Sequence, residues 1–319
     1  MSNLTEAARA KAKELLESGA VKYVIGHARG TVPYRSRPYF ASTPEQAENL
    51  IHDITCAPNL GVYVNKPQDK VAVIAKGCDA RSLITVASEG QADRSDVVII
   101  GATCEGKLDE RRLLAKLDFG PGKIESISED GDDVVVEGPD GAVKIPRDEV
   151  IMPVCTFCRV RTPAACNELI GDEVEARENA DAYDDLAELE AMSPAERTKF
   201  WNEQLGKCIR CYACRNACPS CFCPECFVDE HHPQWALHGG GQFGGNWMFH
   251  TGRAQHLAGR CSSCGSCERG CPVNIPLMLL NRWLERETNE NFDHLAGMAE
   301  GQKQLAALFR KDESRDQDE

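Results

Sequence analysis

Apolar and polar positions along the first part of the chain alternate between the spacing of helices and that of buried strands. A helical pattern opens at Thr5 and ends at Gly19, and the segment VKYVIGHA from Val21 is a short apolar run typical of a buried strand. Residues 71–78 and 96–104 form two further β-branched apolar runs. Continuous apolar strands separated by helices predict an α/β domain with a mainly parallel sheet that is covered on both faces.

Three capping positions predict further helices. Thr43 and Ser193 each begin a capping box, with Pro in the next position and Gln or Glu at the third. The first box predicts a helix that reaches Ile54, and the second predicts a helix that leads toward Cys208. Asp79 is expected to cap a helix that follows the second predicted strand.

Two regions depart from this alternation. Between residues 124 and 152, short alternating strands are joined by the turn sequences EDGDD and GPDG, which indicates a small antiparallel hairpin region. Residues 171–190 hold nine Asp or Glu side chains against one Arg. This pattern is typical of an acidic linker with a solvated helix face, and docking to a basic partner is the alternative interpretation.

Charge and cysteine content change this picture. The 319 residues include 36 Lys and Arg, 50 Asp and Glu, and 17 Cys, which gives a formal net charge of −14. An acid excess argues against nucleic-acid binding, which needs concentrated positive charge. Because no apolar run approaches about 20 residues and no secretory signal opens the chain, we expect a cytoplasmic protein without a membrane span. Thiols in that compartment stay reduced and available to metals.

Two cysteine runs carry the strongest chemical signal. Residues 208–219 read CIRCYACRNACP and residues 261–272 read CSSCGSCERGCP, and both fit the Cys-x2-Cys-x2-Cys-x3-Cys-Pro run of bacterial ferredoxins. In that arrangement the fourth cysteine of each run binds the cluster of the other run, so the ligand sets cross. The predicted ligands are Cys208, Cys211, Cys214 and Cys271 for a first [4Fe-4S] cluster, and Cys261, Cys264, Cys267 and Cys218 for a second. Zinc knuckles, the main alternative, usually take two Cys-x2-Cys pairs.

The remaining cysteines fall into two further groups. Cys78, Cys104 and the pair Cys155 and Cys158 each follow a predicted strand, and carboxyl ends of parallel strands gather at one edge of a sheet. These four thiols are a hypothetical third [4Fe-4S] site, with burial of Cys78 and Cys104 as small apolar side chains as the alternative. Three thiols within six residues are a further candidate metal site, which Cys56, Cys166 or a nearby His would complete; they are Cys221, Cys223 and Cys226.

Three of these cysteine segments resemble a known family. KGCDARSL at residues 76–83, GATCEGK at residues 101–107 and CTFCRVRTPAACNELIGDEV from Cys155 resemble the cysteine segments of the deazaflavin-dependent hydrogenase and formate dehydrogenase beta-subunit family. The match covers roughly the first half of the chain and favours the third cluster. This chain departs from the family pattern in two ways. Gly77 replaces the usual Pro, and the ferredoxin-like part follows the α/β part, whereas many family members place it first.

This resemblance implies a flavin-carrying iron–sulfur subunit that works beside a catalytic or bifurcating partner. The second half is similar to iron–sulfur subunits associated with heterodisulfide-reductase-like flavoprotein complexes. FAD near Lys76, Gly77 and Gly101 stays an open alternative, since the family's flavin contacts are not matched residue by residue. Reduction of deazaflavin is not assigned.

The interpretation that combines these patterns is an electron-transfer subunit of a cytoplasmic, anaerobic oxidoreductase complex. Its expected partners are a heterodisulfide-reductase-like flavoprotein, a hydrogenase or a formate dehydrogenase subunit. One alternative is an FAD-containing reductase acting on a nicotinamide or deazaflavin coenzyme, although no Gly-x-Gly-x-x-Gly fingerprint follows any predicted strand. A zinc-stabilised scaffold protein is the other.

The expected domain organisation follows from the same boundaries. Residues 1–170 form the α/β domain, residues 171–205 an acidic linker and helix, residues 206–290 a mostly helical ferredoxin-like domain with two [4Fe-4S] clusters, and residues 291–319 a C-terminal helix and polar tail.

Overall fold

A five-stranded sheet organises the first half of the chain. The structure, a computed structural model, describes residues 2–64, 69–180, 182–234 and 243–308. Its strands are β1 (Tyr23–Arg29), β2 (Ser36–Ala41), β3 (Val71–Ala75), β4 (Val97–Ala102), β5 (Ser126–Asp130), β6 (Asp133–Gly138), β7 (Gly141–Pro146) and β8 (Glu168–Ile170). The sheet order is β2-β1-β3-β4-β8, in which β1, β3, β4 and β8 are parallel and β2 pairs antiparallel at one edge. The predicted mainly parallel sheet is confirmed.

Both faces of this sheet are covered, which explains why β3 is apolar at every position. Helix α1 (Ser2–Glu17) packs on the face that carries Ala72 and Ile74, whereas α2 (Gly77–Ser88) packs on the face that carries Val71 and Val73. Successive strand side chains point to opposite faces, so a strand buried on both sides has no polar position.

The predicted hairpin region is a separate three-stranded antiparallel sheet of β5, β6 and β7. Val134, Val136 and Ile145 lie in one apolar cluster with Leu108 and Ile151, which ties this sheet to the segments that follow β4. The hairpin region therefore packs onto the first domain, close to the segment that carries the third cysteine group.

The second half is helical, as predicted. The remaining helices are α3 (Glu110–Leu114), α4 (Arg147–Val150), α5 (Pro153–Thr156), α6 (Ala187–Ala191), α7 (Pro194–Gly206), α8 (Ala213–Asn216), α9 (Phe243–Leu257), α10 (Ser266–Arg269) and α11 (Leu277–Phe292). The capping box at α7 is formed, because Ser193 Oγ accepts from the Glu196 amide at 3.3 Å and Glu196 Oε2 accepts from the Ser193 amide at 2.9 Å. None of the helices in the described ranges is long and apolar enough to cross a lipid bilayer.

Three expected elements differ from the structure. The box at Thr43 leads only to a single 3-10 turn at Gln46–Asn49, because the Ile51 amide donates to the His27 carbonyl and draws the chain against β1. Helix α2 is capped at Lys76 and carries Asp79 in its first turn. In the described part of the chain, no strand ends directly before Cys155, which lies in α5 after an isolated bridge at Ile151.

The C-terminal part also differs from the expected helix. After α11, residues 293–308 contain turns and a 3-10 helix at Leu305–Ala307. Residues 309–319 of the expected polar tail lie outside the described residues.

Candidate iron–sulfur centres

The two ferredoxin-type runs fold into matched loops. Positive φ angles occur at the residues two and four positions after the first cysteine of each run: 55° and 57° at Arg210 and Tyr212, and 53° and 71° at Ser263 and Gly265. A four-residue helix follows each loop, α8 in the first and α10 in the second. Left-handed residues turn the chain sharply, so each run wraps its first three thiols toward one side of the loop.

Backbone amides point at sulfur in both loops. The Arg210 amide donates to Cys208 Sγ, and the Ser263 amide donates to Cys261 Sγ, each at 3.4 Å. The Ile275 amide donates to Cys271 Sγ at 3.5 Å. Donors aimed at sulfur stabilise the negative charge of a thiolate ligand, which is one means by which a protein sets the potential of an iron–sulfur cluster.

The cysteines of the second crossed set meet at one cavity. A buried space of about 20 Å³ is lined by Cys218 from the first run together with Cys261, Cys264 and Cys267 from the second. Burial raises the pKa of Cys261 to about 12, and its neighbours Cys264 and Cys218 add to that shift. A thiol placed this way needs a metal or a cation to be ionised at neutral pH.

The first crossed set is gathered in the apolar core of the second half. Cys208, Cys214 and Cys271 are buried in the same cluster, and Cys211 is exposed. Burial raises the pKa of Cys214 to about 11, with Arg253 opposing the shift and Cys208 and Cys271 adding to it. Cys271 of the second run therefore lies beside the cysteines of the first, as the crossed assignment predicts; the assignment of these thiols as ligands stays a prediction.

The third cysteine group also meets at a cavity. Cys78, Cys104, Cys155 and Cys158 line a space of about 40 Å³, and Cys264 of the second set lines the same space. Cys78 lies in the first turn of α2, Cys104 follows β4, and the other two lie in and just after α5. The three segments that carry these four cysteines converge, although among the expected strands only β4 ends within two residues of its cysteine.

Two buried lysines line this third cavity; Lys76 was considered from the sequence only for a flavin, and Lys107 was not considered. Lys76 and Lys107 are each 2% exposed. Lys76 Nζ donates to Asp79 Oδ2 at 2.7 Å, and Lys107 Nζ donates to the Asp53 carbonyl at 2.8 Å. Burial opposes their charge, yet the pKa of Lys107 is raised because the nearby Cys104 and Cys56 thiols favour the cation. Lys107 therefore brings positive charge to the wall of the third cavity, whereas the charge of Lys76 is offset by Asp79.

A histidine pair lies in the same buried polar region. His27 Nε2 contacts the Pro58 carbonyl at 3.1 Å, and His52 Nε2 contacts the Thr103 carbonyl at 3.3 Å. The pKa of both imidazoles lies well below its usual value, first because of burial and then because of the neighbouring lysines. Both side chains are neutral near pH 7, and Lys76 and Lys107 carry the positive charge.

The two glycines considered for a flavin serve the packing of the chain itself. A Cβ at Gly77 would lie 1.9 Å from the Val160 carbonyl oxygen, and a Cβ at Gly101 would lie 2.9 Å from Cys166 Sγ. The space that each glycine leaves is filled by the segment after Cys158. These positions therefore do not form a cradle for a flavin ring.

The remaining thiols lie in different surroundings. A second cavity of about 40 Å³ is lined by Cys221, Cys223 and Cys226. Cys56 is buried beside Asp53, its pKa raised to about 12 chiefly by burial, and Cys166 packs against Gly101. Neither of these two thiols lines the cavity of the three-cysteine group. Across the described ranges, no three His, Cys, Asp or Glu side chains stand close enough together to hold a single metal ion.

Arginines join the two halves of the molecule. Arg81 of α2 is 5% exposed and donates from Nε to the Ala296 carbonyl at 2.7 Å and from Nη1 to the Ser262 carbonyl at 3.3 Å. Ser82 Oγ lies 2.8 Å from Ser262 Oγ. These contacts place the loop of the second crossed set directly against the helix that carries Cys78, which explains why the second and third cavities adjoin.

One family of known proteins matches part of the helical second half of the chain, here called the helical lobe, and two relatives extend the resemblance over most of the chain. The 4Fe-4S dicluster domain family matches residues 204–275. The F420-dependent formate dehydrogenase subunit beta of Methanocaldococcus jannaschii is 23% identical over 344 aligned positions, covering 90% of this chain and 90% of that protein. The F420-dependent formate dehydrogenase 1 subunit beta of Methanococcus maripaludis is 26% identical over 350 positions, covering 90% of this chain and 89% of that protein.

A solved structure is also similar. The F420-reducing [NiFe] hydrogenase complex from Methanosarcina barkeri, studied by xenon derivatisation, contains a chain that is 15% identical, with a TM-score of 0.40 over 49% of this chain and 59% of that one. The sequence similarity to formate dehydrogenase beta subunits thus reaches well beyond the three cysteine segments that first indicated it. The predicted resemblance and the iron–sulfur character of the chain are confirmed.

Proposed function

We propose that this chain is an iron–sulfur electron-transfer subunit of an oxidoreductase complex and that it holds three [4Fe-4S] clusters in the crossed and third cysteine sets. The observation that carries the proposal is the position of Cys264, which lines both the second and the third cavity. Clusters held in two cavities that share this lining residue would lie close enough for rapid electron transfer, which supports a single path through the α/β domain and the helical lobe.

[4Fe-4S] clusters accept and release single electrons without breaking bonds to their ligands. The chain's own residues supply the surroundings. Amides of Arg210 and Ser263 donate to sulfurs of the predicted ligands, and Lys107 places positive charge beside the third site. Each of these groups stabilises added negative charge, so each favours the reduced state of the nearby site.

The opposite end of the path reaches the surface. Cys211 of the first set is exposed, and the adjacent Ile209 is an apolar side chain with 57% of its surface exposed. An exposed apolar residue beside a ligand cysteine suits a docking face for a partner subunit. We place the partner there and infer that it is a formate- or hydrogen-oxidising subunit or a heterodisulfide-reductase-like flavoprotein.

Removal of one ligand from the third site tests the proposal. Anaerobically purified Cys104→Ala should contain about four fewer irons per chain than the wild-type protein, because each cubane holds four. Cys56→Ala is the matched control, since that buried thiol lies outside the cavity and its loss should leave the iron content unchanged. Unchanged iron in Cys104→Ala would overturn the third site, and a zinc-rich, iron-free protein would overturn the function.

Cofactor extraction from the same preparation separates the proposal from the flavin alternative. Co-purification of an oxidoreductase subunit without flavin on this chain supports a pure electron carrier. One flavin per chain would instead support a flavin-containing reductase subunit and would require a binding site other than Gly77 and Gly101.

A further inference from the structure

The cavity at Cys221, Cys223 and Cys226 has the properties of a fourth centre. Its volume is about 40 Å³, and the three thiols line it together. Among the described residues, no three His, Cys, Asp or Glu side chains stand close enough together to hold a single metal ion, so these three thiols suit a polynuclear cluster better than one zinc ion, whose four ligands meet within about 2.3 Å of a point. His256 lines the same cavity, with its ring packed edge-on against Phe227 at 4.9 Å between centroids.

Three arginines give this cavity a positive wall. Arg215, Arg253 and Arg260 all line it. Arg215 is paired with Asp229 at 2.6 Å, and Arg260 with Glu89 at 2.6 Å. Arg253 is 5% exposed, and within the described residues no carboxylate pairs with it and its buried Nε has no hydrogen-bond partner.

A buried guanidinium without a carboxylate is costly unless another negative group lies beside it. The cysteines supply that group. Thiolates bound to iron would carry this negative charge permanently.

The cavity also adjoins the second site. Ser220, Arg253 and Leu257 line both spaces, and the Cys221 amide donates to the Cys218 carbonyl at 3.1 Å. Cys223 is exposed on the other side. A centre here would lie between the second site and the surface.

We propose that Cys221, Cys223 and Cys226, with His256 as the fourth ligand, hold an additional [4Fe-4S] cluster that exchanges electrons with the second site. One electron moves in each transfer: the second site is oxidised by one electron, the additional cluster is reduced by one, and no bond or proton is exchanged. This centre goes beyond the three-cluster function and gives the path a second terminus at the surface.

Metal analysis of the anaerobically purified full chain tests the proposal. The wild-type protein should contain about sixteen irons, and Cys223→Ser/Cys226→Ser about twelve, with the remaining cluster signals retained. Cys166→Ser is the matched control, because that half-buried thiol lies outside every cysteine cavity, and it should keep the wild-type iron content. About twelve irons in the wild-type protein, or the loss of one zinc from the double variant, would overturn the fourth cluster.

The ligand role of His256 is tested separately. His256→Asn should retain iron and change the electron paramagnetic resonance signal of one cluster, and an unchanged signal would overturn that assignment. Failure of the fourth cluster leaves the Cys104→Ala result unaffected, so the two proposals fail independently.

Discussion

Replacement of Arg253 should lower the redox potentials of the helical lobe. Arg253 Nη2 donates to the Cys214 carbonyl of the first set at 3.1 Å, and the same side chain lines the cavity of the second set. Burial opposes its charge, yet the pKa of Arg253 is raised well above its usual value because Cys267, Cys218, Cys221 and Cys214 surround it. One buried cation thus lies between two predicted clusters.

The size of the effect follows from the charge that reduction adds. A cluster gains one negative charge on reduction, and a nearby cation stabilises that state. Two unit charges 4 Å apart interact by about 4 kcal/mol at an effective dielectric constant of about 20, and roughly half of that, about 2 kcal/mol, is expected for charge spread over a cubane. Because about 1.4 kcal/mol corresponds to about 59 mV for one electron, Arg253→Met should lower the midpoint potentials by roughly 90 mV.

Potentiometric titration followed by electron paramagnetic resonance measures this shift. Arg253→Lys keeps the charge and should recover most of the wild-type potential, which separates charge from packing. Arg37→Met removes an exposed arginine from β2 and should leave the potentials unchanged. Midpoint potentials within about 20 mV of wild type in Arg253→Met, at full iron content, would refute the electrostatic reasoning, since the expected shift is several times larger.

Two further predictions concern stability. Gly77→Ala should lower the free energy of unfolding by about 3 kcal/mol, since the new Cβ would lie 1.9 Å from the Val160 carbonyl oxygen. Gly122→Ala is the control and should be nearly neutral, because a Cβ there has nothing within 4 Å. Urea unfolding measures both variants, and equal midpoints would contradict the prediction. The pKa values of His27 and His52 lie well below 6.5, so the unfolded chain binds protons that the folded chain does not. The free energy of unfolding therefore keeps its full value at pH values above the unfolded pKa of about 6.5. It falls at lower pH, by up to about 1.4 kcal/mol per histidine at pH 5.5. Thermal melts should show this loss in the wild type and not in His27→Gln/His52→Asn; the same slope in both would count against it.

Local patterns predicted those elements that local interactions determine. The apolar runs of β3 and β4 predicted strands because both faces of the sheet are covered, and Ser193 predicted α7 because its capping box forms within three residues. The box at Thr43 failed because a long-range bond from Ile51 to His27 competes with continuation of the helix. Local propensity decides an element only where no tertiary contact opposes it.

The positions of Cys78, Cys104, Cys155 and Cys158 after predicted strands predicted that these thiols would gather, and the structure brings them together for a different structural reason. Cys155 was expected at a strand end, whereas it lies in the short helix α5 after a single bridge between Leu108 and Ile151. Cys78 lies one helical turn beyond its strand because Lys76 and Asp79 begin α2 earlier than expected. The four thiols converge because the tertiary fold brings their segments together. Hydrophobic periodicity along the sequence does not show which segments meet.

Most of the charged groups around the cavities could not have been predicted. Lys107 closes the segment GATCEGK, but nothing in that segment indicates a buried cation beside a cavity, and Arg253 lies in no motif quoted above. Arg81 contacts residues about 180 positions away. Such pairs are selected by the tertiary fold alone, so only the structure shows that cysteine and cation are neighbours.

The placement of charge has a consequence for partner binding. The chain carries a formal charge of −14, and clusters with four thiolate ligands add more negative charge, yet Lys76, Lys107, Arg81 and Arg253 are buried against the cysteine cavities. Positive side chains that are buried inside the molecule do not offset the negative charge of its surface. A partner that docks near Ile209 therefore has to meet this chain through an apolar or basic face, and an acidic partner face would be repelled before the clusters came within range.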